Sequence, residues 1–345
     1  ATCSATFTYG TSVTLVATPA SGYSFTAWTG ACSAEVTTTC TVSMTQARTV
    51  GATFTINSYT LTVAQPANGT ITTNTGGINC GATCTATYTY GASVQITATA
   101  ATGYTFSAWS GACSGSTSPC TITIDGNKSV SATFTVNTYL VTVTSPSNGT
   151  VSGLGINCPT DCTESYAYGT SVTLVATPAT GYSVGTWSGG TCSGSAATCT
   201  FTVSDAVTAA VSFTKNNYTL TVTSPANGTI TSGESPKKID CGATCSATYA
   251  YNDSATLTAT PATGYTLSTW TGACSGSAST CTLTIDASKT VSALFVANSY
   301  TLTVTSPSNG SISGLGINCP TDCTESYAYG TSVTLAATPA TGYSF

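Results

Sequence analysis

Charge is what this sequence has least of. Its 345 residues include 6 lysines and arginines, 11 aspartates and glutamates, and no histidine. Without an imidazole the commonest general base is missing, and Ser and Thr are so frequent that no hydroxyl stands beside a distinctive base, so catalysis and a cofactor are not expected. The six cations (Arg48, Lys128, Lys215, Lys237, Lys238 and Lys289) are scattered apart from one pair, and the net charge is −5. Such a chain cannot neutralise a run of phosphates, which excludes nucleic acid as a partner. No uninterrupted apolar run approaches the roughly 18 residues of a membrane-spanning helix. The first residues lack the charged and apolar regions of a signal peptide, as in a mature protein or a piece of one. A helical period longer than one turn is absent as well.

Cysteine, by contrast, is abundant, with 17 residues. In a chain so poor in charge this points to an oxidising compartment, hence to a secreted or cell-surface protein. The stretch INCPTDCTESYAYGTSVTL fills residues 156–174 and again 317–335. It belongs to a shorter period of about 80 residues. Three complete copies (59–138, 139–217 and 218–299) lie between a C-terminal part of a copy (1–58) and an N-terminal part (300–345). Residues 1–25 match residues 321–345, as in a window cut from a longer array.

Within each copy, apolar residues alternate with Thr or Ser, as in YTLTV at Tyr59–Val63, which is the period of a half-buried strand. Five strands per copy are expected. The first two should form a hairpin across Asn68-Gly69, Asn148-Gly149, Asn227-Gly228 or Asn309-Gly310, because Asn-Gly tolerates the positive φ angles of a tight turn. The fold class read from the residues is all-β. Copies join without a Gly/Pro/Ser linker, as in TFTINSYTLTV, so the expected form is an elongated rod of stiffly held repeats.

Each of the first four copies carries a Gly-Tyr pair followed by tryptophan: Trp28, Trp109, Trp187 and Trp270. An indole at a recurring position can stack on sugar rings, but in a small domain its bulk is better used as a core anchor. The order of YTLTV, YGTSVTLVATPASGYSF with its following tryptophan, and a closing KSVSATF resembles the internalin-type B-repeat superfamily, in particular its divergent bacterial surface-repeat branch. The resemblance spans essentially the whole chain. It implies a secreted or wall-attached bacterial protein and a small β-grasp-like fold, although the β-grasp helix has no counterpart in the periodicity here.

The cysteines follow a C-x3-C then C-x6-C pattern: Cys80, Cys84, Cys113 and Cys120; Cys158, Cys162, Cys192 and Cys199; Cys241, Cys245, Cys274 and Cys281. Cys32 and Cys40 stand in the first copy, Cys319 and Cys323 in the last, and Cys3 is left over, its partner expected just before residue 1. Four thiolates could ligate zinc, but the spacing and an oxidising compartment favour two local disulfides per repeat. Four cysteines allow three pairings, so connectivity is an expectation. No metal site is expected, since Asp125, Asp205 and Asp286 end strands with no second carboxylate at regular spacing. Isopeptide cross-links would need a lysine in every copy, and the third has none at the position of Lys128 and Lys289. Asn-Gly-Thr triplets read as glycan acceptors, and the many hydroxyls could carry O-linked sugars.

Two functions survive. One is a structural fibre or stalk that self-associates or continues into further repeats. The other is an adhesin, whose best candidate loop is the charged insertion TSGESPKKID at 231–240.

Overall fold

The computed structural model describes residues 3–345, and every regular element among them is a β-strand. No helix of the described residues is long and apolar enough to cross a membrane. The absence of any helix among the described residues decides the fold class for all-β over a β-grasp. The chain divides into two compact units. The first comprises the chain up to Thr142 with Thr163–Val172 and Phe201–Val207; the second comprises Val143–Cys162, Thr173–Thr200 and Thr208–Phe345.

The copy at 59–138 lies wholly in the first unit and shows the plan. Its strands are β1 (Ser58–Val63), β2 (Gly69–Thr73), β3 (Asn79–Cys80), β4 (Thr85–Thr89), β5 (Ser93–Ala100), β6 (Tyr104–Gly111), β7 (Cys120–Thr123) and β8 (Lys128–Val136). One sheet has the order β6-β8-β1-β4 and the other β7-β5-β2-β3. All pairs are antiparallel except β8 with β1, whose register runs Lys128↔Leu61 to Val130↔Val63. The two sheets share one core: Leu61, Val63, Trp109 and Val130 from the first meet Ile71, Val94, Ile96 and Ile122 from the second. The alternation that marks the strands in the sequence thus puts their apolar faces together and leaves Thr60, Thr62, Thr97 and Thr99 toward solvent or partly covered. The copy at 218–299, wholly in the second unit, repeats both strand orders and an equivalent core around Leu220, Ile230, Leu257, Trp270 and Val291.

Two expectations are corrected. Strands one and two do not form a hairpin: β1 belongs to one sheet and β2 to the other. Only Asn68 adopts a positive φ, of 66°, whereas the type I′ hairpin turn that Asn-Gly favours needs it at both positions. Gly69 is required for another reason, because a Cβ there would stand 2.4 Å from the Phe134 ring. Phe213 against Gly149 and Phe295 against Gly228 repeat the contact at 2.5 Å. Further, each complete copy has eight strands rather than five. β3 is too short to show a period, β4 (TATYT) has only Ala86 and Tyr88 facing inward, and β6 carries the Gly-Tyr and tryptophan motif.

Candidate functional site at the staples and repeat junctions

Local cysteine pairs bracket both loops that close each sandwich. Cys80 is joined to Cys84, Cys158 to Cys162, Cys241 to Cys245 and Cys319 to Cys323, with Cα atoms 4.3 to 4.7 Å apart. Cys113 is joined to Cys120, Cys192 to Cys199 and Cys274 to Cys281, across 5.6 to 6.1 Å, and Cys32 to Cys40 across 6.0 Å. Cys3 is exposed and unpaired. No group of three or more His, Cys, Asp or Glu residues among those described is arranged to hold a metal ion.

The tryptophans lie beneath the second loop. Trp28, Trp109, Trp187 and Trp270 are 6%, 4%, 3% and 2% exposed, which takes their faces out of reach of a sugar ring. Each indole N–H donates to a loop carbonyl, Thr37, Thr117, Ala196 and Ala278 respectively, at 2.7 to 3.0 Å. Trp109 packs on Phe106 with ring centroids 5.2 Å apart, and Phe106 meets Phe134 at 5.9 Å. Stapled loop, indole, phenylalanine pair and Gly69 therefore form one continuous packed column.

At the junction between copies the sequence shows the missing linker but not the contact that holds the two sides. A single asparagine separates β8 from the first strand of the next copy, Thr138–Val143. Asn137 is held on both sides: its N–H donates to the Gly103 carbonyl at 2.8 Å, and its own carbonyl accepts from the Tyr168 N–H at 2.8 Å. Its side-chain oxygen accepts from the Thr105 hydroxyl at 2.6 Å. The Tyr168 ring, which belongs to the following copy, covers Gly103 so closely that a Cβ there would lie 2.1 Å from it. Gly103 also has φ +81°, so no L side chain suits the position by conformation or by space.

The same clamp occurs as Gly22, Asn57 and Tyr90, as Gly181, Asn216 and Tyr251, and as Gly264, Asn298 and Tyr329. Tyr251 meets Tyr182 at 6.2 Å and Tyr218 at 6.4 Å, so rings from both copies edge against it. The signal in the sequence was the recurrence at fixed places of Gly-Tyr and of Tyr-Gly, the latter replaced by Tyr251-Asn252 in one copy. Nothing local shows that a Gly of one copy meets the Tyr of the next.

Replacing Tyr168 with alanine uncovers this glycine. For a half-buried aromatic the expected loss is about 1 to 2 kcal/mol of coupling between the copies. Hydrogen exchange should show the Asn137 and Tyr168 amides losing protection while the core amides of Leu61 and Ile96 keep theirs; unchanged protection at Asn137 would contradict the clamp.

Loop 231–240 is closed on itself. The Ser232 hydroxyl accepts from the Lys238 and Ile239 amides at 3.1 and 2.9 Å, and Lys238 Nζ stands 4.4 Å over the Tyr249 ring. The Glu234 carboxylate and Tyr249 hydroxyl are buried beneath it without a well-formed hydrogen bond among the described residues. Burial, with Glu234 beside it, pushes the Tyr249 phenol up to about 12. Because the folded value lies above the ordinary 10, the unfolded chain ionises first. This stabilisation is complete below pH 10 and declines between pH 10 and about 12. A Tyr249→Phe variant should lack that decline in its melting temperature; an identical slope would contradict it.

The three strand-end aspartates serve locally. Asp125 meets Lys128 at 2.6 Å and Asp286 meets Lys289 at 2.8 Å, and the hydrogen bond from each lysine holds the carboxyl below its usual range. Asp205 accepts from the Ala206 N–H at 2.8 Å.

No curated protein matches the sequence. Among solved structures, the Bacillus anthracis TIE protein aligns at 8% identity and a TM-score of 0.37, over 84% of this chain and 63% of that one. This chain thus spans less than two thirds of that protein's length. Two B repeat units of the collagen-binding protein of Staphylococcus aureus align at 9% identity and a TM-score of 0.18, over 83% of this chain and 93% of that one. The family model described as the divergent InlB B-repeat domain matches at 1–58, 59–138, 139–217, 218–299 and 300–345, and the chain belongs to that family of tandem repeats.

Proposed function

We propose that this chain is a load-bearing segment of an extracellular or cell-surface stalk or fibre and that it carries no catalytic activity. The observation that carries this reading is the clamp of glycine, asparagine and tyrosine, present at all four junctions with the same bonds. A protein that only displayed separate binding modules would have no need to fix one module to the next, and flexible linkers would serve it better. The disulfides support the same reading, since each closes a loop that would otherwise lengthen under tension. The membership in a surface-repeat family and the cysteine content fit an oxidising location outside the cell. The adhesive alternative rests on loop 231–240, a single insertion that is tied to its own sandwich through Ser232 and Lys238 and does not recur in the other copies.

Single-molecule pulling on the full chain tests the proposal. The expected record is a series of unfolding peaks of similar force, with released lengths shortened by the stapled loops, and with lower forces in a Tyr90→Ala, Tyr168→Ala, Tyr251→Ala variant. A chain that extends at negligible force would overturn the load-bearing role.

A further inference from the structure

The outer strand of the first sheet follows the first disulfide in the four copies after residue 58: Thr85–Thr89, Thr163–Ala167, Ser246–Ala250 and Thr324–Ala328. Which of its backbone groups face outward is set by one bond, from the Val63 N–H to the Cys84 carbonyl at 2.8 Å. The antiparallel register continues as Thr62↔Thr85, Leu61↔Ala86 and Thr60↔Thr87. Bonded pairs alternate with non-bonded pairs in such a ladder. Ala86 and Tyr88 therefore bond to β1, while the N–H and C=O groups of Thr85 and Thr87 point away from the sheet. The bond from Val222 to Cys245 at 2.7 Å does the same for Ser246 and Thr248.

These outward groups are treated differently in alternate copies. In the last copy Asp322 accepts from the Thr324 N–H at 3.3 Å and Glu325 from the Ser326 N–H at 2.9 Å. Glu164 accepts from the Ser165 N–H at 2.9 Å in the same way. Acid side chains close those edges. The corresponding residues in the other two complete copies are Thr83 and Ala86, and Thr244 and Ala247. Alanine offers no acceptor, and Thr85, Thr87, Ser246 and Thr248 are exposed, while at the end of the second of these edges Asp253 accepts from the Ala250 N–H at 3.1 Å. Closed and open edges thus alternate along the chain.

We propose that the open stretches of these edges, 85–87 and 246–248, pair, by antiparallel strand addition, with the same strands of a second copy of this chain. A row of unpaired N–H and C=O groups is completed by another extended strand. The open strands, TATYT and SATYA, contain no charge and no proline, so an identical strand meets nothing repulsive. At a closed edge the same approach would set Glu164 or Glu325 against its own counterpart and break the acid-amide bonds. Two open edges on one chain let association continue beyond a pair, each added contact benefiting from the first. The inference stands apart from the load-bearing role, because a stalk with every edge closed would still bear load.

Sedimentation of the full chain across a concentration series tests it. The wild type should self-associate, and an Ala86→Glu, Ala247→Glu variant should associate at least tenfold more weakly. Thr87→Pro with Thr248→Pro, which deletes only outward N–H groups, should do the same with the melting temperature monitored in parallel. Glu164→Ala with Glu325→Ala should strengthen association. A wild type that stays monomeric, or association indifferent to both blocking pairs, overturns the proposal. A monomer that captures an added TATYT peptide, and loses it on Ala86→Glu, also overturns it, giving the edge to a foreign strand.

Discussion

Alanine in place of Trp109 is expected to cost about 3 to 5 kcal/mol, the range for emptying a core aromatic site. The indole is 4% exposed and holds the 113–120 loop through its bond to Thr117, so both packing and loop anchoring are lost together. Copies with their own cores respond separately. Calorimetry with hydrogen exchange should show 59–138 opening first, while the protection of Leu220 and Ile230, in the other unit, is unchanged. A melting profile identical to wild type, with loss only of retention on polysaccharide, would contradict the core role and restore the indole as a sugar platform.

Removing a staple is the second large effect. Closing a loop of five to eight residues restricts the unfolded chain by about 2 kcal/mol, so deleting both bridges of one copy by Cys80→Ala, Cys84→Ala, Cys113→Ala and Cys120→Ala should cost about 4 kcal/mol. A domain of 80 residues has about 4 to 12 kcal/mol in total, so this copy should lose a third or more of its stability and melt well before its neighbours. Peptide mapping without reduction should recover Cys80 with Cys84 and Cys113 with Cys120. A link from Cys80 to Cys113, or bound zinc, would contradict the local pairing.

The all-β class was legible because strand alternation is a local property: Tyr59, Leu61 and Val63 point one way whatever the rest of the chain does. The partners of a glycine are not local. Gly69 suggested a turn because Asn-Gly favours one, and the ring that needs its bare Cα, Phe134, lies on the opposite sheet. The junction was hidden for a similar reason. Tyr168 and Gly103 belong to different copies, and only the three-dimensional path of Asn137 brings them together. The edge acids escaped notice because Glu164 and Glu325 have no partner of opposite charge among the described residues; their partners are backbone amides, which every sequence contains.

The central claim is that these clamped repeats are built into a fibre or stalk outside the cell. Immunogold electron microscopy of intact source cells, with antibody raised against residues 59–299, tests it most directly. Labels recurring along extended surface structures are the predicted result. Label confined to the cell interior, or to a dispersed species with no surface structure, would contradict it.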